Sequence, residues 1–152
     1  IETVKMMGKI IGEAERTPHE RPPLRTVDLA RVDDAIMVGA SLIAEKINAK
    51  RILSVTESGR SCLKMCRFRP TTSVLGVSNS LSAVRKMCLY WGVSPFFLAD
   101  YEEDDSELER YVFERARNAC ELESGDKMVI TRGAGRFFAR GSSNSVRVEI
   151  VK

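Results

Sequence analysis

The residues best suited to bind a ligand form a short polar turn between an apolar strand and a helix. The turn follows the apolar segment Ile52–Val55, and its residues are Thr56, Glu57, Ser58, Gly59, Arg60 and Ser61. Backbone amides at the start of a helix, serine hydroxyls and a guanidinium group all donate hydrogen bonds to an anion. A glycine in the turn allows the backbone to approach a ligand closely or to adopt a positive φ. The turn is therefore suited to bind a phosphate group.

The same turn also fits a purely structural role. Serine side chains accept hydrogen bonds from the first amides of a helix, so Ser58 and Ser61 are suited to capping without any ligand. From the residues alone, phosphate binding and plain N-capping both stay open as interpretations.

A second set of candidate residues lies in the loop between the last two predicted strands, from Arg132 to Asn144. The candidates in this loop are Arg132, Gly133, Arg136, Arg140 and Gly141. Arginine binds phosphate through paired hydrogen bonds, but it also serves as solubilising surface charge, and both interpretations stay open. Ligands of open α/β sheets bind where the strands end, so this loop and the Thr56–Ser61 turn are expected to converge on one site.

The four cysteines form neither a metal-binding pattern nor a disulfide framework. Cys62 and Cys66 share one face of a helix, but no histidine and no second cysteine pair accompanies them. We therefore expect buried thiols at Cys62, Cys66, Cys88 and Cys120. No metal ligand is predicted.

Two other groups with potential catalytic chemistry are interpreted as structural. His19 is the single histidine, and it lies in the proline-rich segment Thr17–Arg25, where a solvated side chain is expected. Asp33 and Asp34 are adjacent near the start of a predicted helix, where consecutive side chains point in different directions. We expect both carboxylates to be solvated and to complement the helix dipole. No catalytic residue is predicted.

The composition indicates one globular domain with a mild positive charge. The chain has 152 residues, 43% hydrophobic and 30% charged, and its 24 basic and 21 acidic residues give a net charge of +3. The basic residues are dispersed among acidic ones, so nucleic-acid binding is only weakly indicated. No apolar run approaches the roughly 20 residues of a membrane span, and the N-terminus lacks a signal-peptide layout. We expect a cytoplasmic protein.

Hydrophobic periodicity predicts alternating helices and strands. The predicted helices are Ile1–Glu15, Asp28–Ile47, Ser61–Cys66, Ser80–Tyr90 and Ser106–Cys120. The predicted strands are Ile52–Val55, Val74–Val77, Val93–Leu98, Lys127–Thr131 and Ser145–Val151. Continuous apolar runs are typical of buried parallel strands, whereas the last strand alternates apolar and charged residues as an antiparallel edge strand does. The sequence therefore predicts an α/β fold, a three-layer, open, mostly parallel five-stranded sheet with one antiparallel edge strand.

Several local features are also predicted. Pro95 favours a strand end or a bulge, and Ser106 with Glu109 resembles a helix capping box. The buried stripe of the first helix is predicted to consist of Val4, Met7, Ile11 and Ala14. That of the second is predicted to consist of Val32, Ile36, Ala40 and Ile43, widened by Val38, Leu42 and Ile47. That of the fourth is predicted to consist of Leu81, Val84 and Cys88, with Trp91 beyond them at the same spacing.

The chain resembles the C-terminal part of pyruvate kinase. The resemblance rests on motifs that keep the family's order along nearly the whole chain. They are Glu2-Thr3-Val4-x-x-Met7, Glu13-Ala14-Glu15, Thr56-Glu57-Ser58-Gly59-Arg60-Ser61, Arg69-Pro70, Leu89-Tyr90-Trp91-Gly92-Val93-x-Pro95, Gly125-Asp126 and Gly141-Ser142-Ser143-Asn144-Ser145-x-Arg147-Val148.

The resemblance implies that residues 1–16 are the last helix of a catalytic barrel, residues 17–27 a linker, and residues 28–152 a C-terminal regulatory domain. It also implies that the Thr56–Ser61 turn holds a phosphate of an allosteric effector, a sugar phosphate or a nucleoside monophosphate. The loop between Gly133 and Gly141 is longer than is usual in the family, so the identity of the effector stays open.

The resemblance further implies the activity and partners of a parent enzyme. That enzyme would transfer a phosphoryl group from phosphoenolpyruvate to ADP with Mg²⁺ and K⁺, on barrel residues that this chain lacks. This chain would hold no cofactor, contact its own catalytic barrel and take part in a homotetramer. Two alternatives are a stand-alone protein that binds phosphorylated metabolites and a generic α/β module that binds nucleic acid.

Overall fold

A computed structural model describes residues 1–16, 31–99, 105–133, 138 and 143–152. Within these ranges the helices are α1 (Glu2–Glu15), α2 (Val32–Lys46), α3 (Arg60–Cys66), α4 (Leu81–Met87) and α5 (Asp105–Ala119). The strands are β1 (Arg51–Val55), β2 (Val74–Ser78), β3 (Val93–Phe97), β4 (Lys127–Arg132) and β5 (Ser145–Ile150). The predicted linker, with His19, and the residues predicted to start the second helix lie outside the described ranges.

The five strands form one sheet in the order β3-β2-β1-β4-β5. Strands β3, β2, β1 and β4 are parallel, and β5 runs antiparallel to β4. The central strands are buried on both faces, as their continuous apolar sequences require. The predicted fold is therefore confirmed, including the antiparallel edge strand.

The chain reverses its direction of travel across the sheet at β1. It moves outward from β1 through β2 to β3, and then returns to place β4 on the other side of β1. The turn after β1 and Gly133, which follows β4, consequently flank the same crevice. In open α/β sheets such a switch point is where ligands bind.

A separate hydrophobic core covers each face of the sheet, which gives the predicted three layers. One core packs α5 against the sheet, and its buried residues include Leu53, Val55, Leu75, Val77, Val112 and Ile130. The other packs helices α2, α3 and α4 against the opposite face, and it includes Met37, Ala44, Ile52, Met65, Met87 and Val129.

The buried face of α2 differs from the predicted stripe. Val32 is 66% exposed and Ile43 is 37% exposed, whereas Met37, Ala40 and Ala44 are fully buried. Met37, Ala40 and Ala44 belong to the core that packs α2 against the sheet. The prediction was therefore right for Ala40 and for Val38, which is 5% exposed, and wrong for Val32 and Ile43, because packing against the sheet, rather than apolarity alone, selects the buried face.

The predicted stripe of α4 was right only for Val84, which packs against the core. Leu81 and Cys88 are exposed, and Ala83 and Met87 are the buried pair.

The expectation of four buried thiols holds only for Cys62. Burial raises the pKa of the Cys62 thiol to about 12.

Two local predictions also differ from the structure. Pro95 lies in the middle of β3, opposite Gly76 of β2, rather than at a strand end or bulge. Because β3 is an edge strand, a residue without an N–H is tolerated there. Helix α5 begins at Asp105, ahead of the predicted cap at Ser106, and the Glu109 carboxylate instead pairs with Arg132 and Arg147.

An ion cluster joins α2 to α3. The Lys64 ammonium lies 2.5 Å from Asp33 Oδ2 and 2.9 Å from Asp34 Oδ1, and Arg31 Nε lies 3.2 Å from Asp33 Oδ1. The Asp33 side chain is only 11% exposed. The expectation of two solvated carboxylates was therefore wrong, because a cation 31 positions along the chain reaches both of them.

Helix α1 has an apolar face but no buried residue. Val4, Met7 and Ile11 of its predicted buried stripe are 70%, 55% and 53% exposed. Among the described residues, no helix combines the length and the apolar composition needed to cross a membrane.

Substitution of Gly76 by alanine should destabilise the protein. A methyl group at this position would lie 2.7 Å from Met87 Sδ and 2.8 Å from Cys62 Sγ, so these buried side chains would have to move. Overpacking of this kind costs about 1–3 kcal/mol, measurable by urea denaturation. Gly39→Ala is a matched control, because an added Cβ on α2 meets nothing within 4 Å. A Gly76→Ala variant as stable as the control would contradict this packing.

The ion cluster should make stability depend on acidic pH. The hydrogen bond from Lys64 holds the pKa of Asp33 below its ordinary value of 3.8. In the unfolded chain Asp33 takes up a proton near pH 3.8, and in the folded protein only at lower pH. The free energy of unfolding should therefore fall as the pH decreases below about 4, as urea denaturation at a series of pH values would show. The difference between the wild type and Asp33→Asn should shrink over that range, and a constant difference would contradict the assignment.

Candidate anion-binding site

A cavity of about 760 Å³ opens at the carboxyl ends of β1, β2 and β4. The turn after β1 forms one part of its lining, with Thr56, Glu57, Ser58, Arg60 and Ser61. Helices α2 and α3 contribute Arg31, Asp33, Met37 and Lys64. The segment after β2 contributes Asn79, Ser80, Ser82 and Lys86, and the region after β4 contributes Gly133, Phe138 and Ser143.

The turn after β1 has a fixed shape. Gly59 adopts the left-handed conformation, with φ of 80°, as the N-cap of α3. Its amide donates to the Thr56 hydroxyl oxygen at 3.1 Å, and the Thr56 amide donates to the Val77 carbonyl oxygen at 2.9 Å. The buried Thr56 side chain thus shapes the turn internally, and Gly59 supplies a conformation that other residues rarely adopt.

Ser78 supports the turn from the neighbouring strand β2. Its buried hydroxyl donates to the Glu57 carbonyl oxygen at 3.0 Å and accepts from the Ser80 amide at 3.1 Å. Sequence reasoning missed this residue. The signal was available, because Ser78 ends the strand next to β1, at the same edge of the sheet as the turn.

Several hydrogen-bond donors of the turn remain available to a ligand. The amides of Ser58, Arg60 and Ser61 donate to no group in the part of the chain that the structure describes. The first amides of a helix have no partner within the helix, which explains their availability. The Ser61 hydroxyl lies 2.8 Å from that of Ser143, so the turn and the region before β5 meet directly.

Two exposed cations, Arg60 and Lys86, line the cavity beside this turn. Neither forms an ion pair with another described residue. Lys86 lies within the part of α4 against which the turn packs, since an added Cβ at Gly59 would lie 3.2 Å from Met87 Cγ and 3.6 Å from the Ala83 carbonyl oxygen. The described lining beside the turn is therefore rich in donors, and it carries two cations and the carboxylate of Glu57.

The predicted loop residues do not all reach the cavity. Gly133 lines it, but Arg132 does not, because its guanidinium lies 3.4 Å from Glu109 of α5 on the other face of the sheet. Arg136, Arg140 and Gly141 lie outside the described residues. Sequence reasoning could not separate Arg132 from Gly133, since which face a strand residue takes depends on the exact register of β4.

Comparison with known proteins assigns the chain to a family. The family described as pyruvate kinase, alpha/beta domain, matches residues 34–149. Pyruvate kinase 2 of Synechocystis is 32% identical over 158 aligned residues, which cover 100% of this chain and 25% of that protein. The pyruvate kinase of Methylorubrum extorquens is 28% identical, with 99% of this chain and 32% of that protein covered.

The pyruvate kinase of Clostridium acetobutylicum is 26% identical, with 100% of this chain and 32% of that protein covered. The chain thus spans between a quarter and a third of the length of these relatives, and it matches their C-terminal part. The turn after β1 and Lys86 lie within the matched residues. The chain belongs to the family of pyruvate kinase alpha/beta domains.

Proposed function

We propose that this chain is the regulatory domain of a pyruvate kinase and that its Thr56–Ser61 turn binds the phosphate of an allosteric effector. The observation that carries the proposal is the set of available amides of Ser58, Arg60 and Ser61, which open into a cavity with two cations, Arg60 and Lys86. Amides at a helix start together with cations form a site for a phosphate dianion. The position at the topological switch point of the sheet supports the same assignment.

The activity of the longer protein is part of this proposal. Relatives named pyruvate kinase match this chain over only a quarter to a third of their own length. We assign phosphoryl transfer from phosphoenolpyruvate to ADP, with its Mg²⁺ and K⁺, to the part of the parent enzyme outside this chain. Among the described residues, no group of three or more His, Cys, Asp or Glu side chains is arranged to hold a metal ion.

Regulation requires that the effector favour one arrangement of the enzyme over another. An effector phosphate at the turn would raise activity only if it binds one quaternary state more tightly than the other. We propose that the enzyme is a cytoplasmic homotetramer whose subunits rearrange in this way. The exposed apolar face of α1, with Val4, Met7 and Ile11, supports its docking against the catalytic barrel of the same polypeptide.

The double variant Ser58→Ala/Arg60→Ala should lose most of its affinity for phosphate compounds. Removing a charged donor and a hydroxyl takes away charge-assisted hydrogen bonds, and a loss of about 1.4 kcal/mol already lowers affinity tenfold. Calorimetric titration of this chain with inorganic phosphate, glucose 6-phosphate, ribose 5-phosphate and AMP would measure the loss. In the parent enzyme, the same variant should keep basal turnover and lose activation.

A matched control is Arg67→Ala/Ser94→Ala, which removes an exposed arginine and an exposed serine away from the cavity. This control should bind phosphate compounds as the wild type does. Equal affinity of the Ser58→Ala/Arg60→Ala variant and the wild type would refute the site assignment.

A further inference from the structure

The cation Lys64 lines the cavity but is already engaged by the protein. Its ammonium lies 2.5 Å from Asp33 and 2.9 Å from Asp34, and all three side chains are at most 14% exposed. Arg31, which also lines the cavity, lies 3.2 Å from the second Asp33 oxygen. The two positive and two negative side chains compensate each other, so this wall has no net charge at neutral pH.

The cavity is therefore electrostatically divided. Arg60 and Lys86, beside the turn, form no ion pair with another described residue. Lys64 lies one helical turn after Arg60 on α3, and without the two aspartates it would extend the positive lining away from the turn. Among the described residues, the lining cations that no aspartate pairs with are therefore Arg60 and Lys86, both beside the turn.

We propose that the cluster of Asp33, Asp34 and Lys64 makes this cavity selective for a phosphate monoester with a hydroxylated body over the corresponding bisphosphate. This inference rests on the proposed function, because it takes the turn to hold one phosphate. The Asp33 carboxylate then accepts hydrogen bonds from hydroxyl groups of the ligand body.

The chemistry of the cluster favours hydroxyl groups over a second phosphate. A carboxylate has about four acceptor positions on its two oxygens, and the contacts to Lys64 and Arg31 use one on each oxygen of Asp33. A hydroxyl can donate to the remaining positions. On this side of the cavity a second phosphate would meet the Asp33 carboxylate and a lysine that Asp33 and Asp34 already hold, and like charges at short range disfavour binding.

The test compares fructose 6-phosphate with fructose 1,6-bisphosphate, which differ only in the second phosphate. Calorimetric titration of the 152-residue chain should give affinity for the monophosphate about tenfold higher than for the bisphosphate. Inorganic phosphate, titrated in parallel, reports on the turn alone. Equal or tighter binding of the bisphosphate by the wild type would overturn the proposal.

The variant Asp33→Asn/Asp34→Asn should reverse this preference. Its Lys64 is released, so the bisphosphate should bind at least about tenfold more tightly than to the wild type, while affinity for inorganic phosphate stays within about twofold. In the triple variant that adds Lys64→Met, the increase in affinity for the bisphosphate should disappear. An unchanged ratio of the two sugar affinities in the double variant would also overturn the proposal.

Failure of the two proposals can be distinguished. If the wild type binds inorganic phosphate and both sugar phosphates equally well, the turn is a phosphate site and only the selectivity inference is wrong. If the wild type binds none of the three compounds, both proposals are overturned. Since the wild-type comparison decides on its own, a variant that fails to fold does not leave the question open.

Discussion

Strand β1 hydrogen-bonds to β2 on one side and to β4 on the other, and the site depends on this double pairing. Its register places Val55 beside Val77 and Ser54 beside Thr131. The three strands therefore end at nearly the same level, and the segments that follow them converge. A shift of either register would separate the turn from Ser78 or from Gly133, and the cavity would lose one of its sides.

Much of the fold could be predicted from the sequence, because strand identity follows from short apolar runs and from the alternation in β5. The faces of α2 and α4 could not be predicted in the same way. Periodicity identifies an apolar side, but the choice of Met37 and Ala44 over Val32 and Ile43 depends on how closely each helix can approach the sheet. That distance is a property of the assembled core.

The sequence predicted those features of the candidate site that depend on neighbouring residues in one segment of the chain. Gly59 in a positive-φ turn follows from the residues of a single segment, and the structure places it there. The engagement of Asp33 by Lys64 and the support from Ser78 link segments far apart in the chain, so they depend on tertiary packing. Arg132 shows the same limit, since its pairing with Glu109 of α5 directs it away from the cavity.

The contact between the hydroxyls of Ser61 and Ser143 has a consequence for communication within the domain. Ser143 lies two residues before β5, the antiparallel edge strand of the sheet. When Ser61 is the donor in this contact, an anion that accepts a hydrogen bond from Ser61 competes with Ser143 for the same proton. Loss of this hydrogen bond would release Ser143, and the effect of a bound anion would thereby reach the edge strand β5.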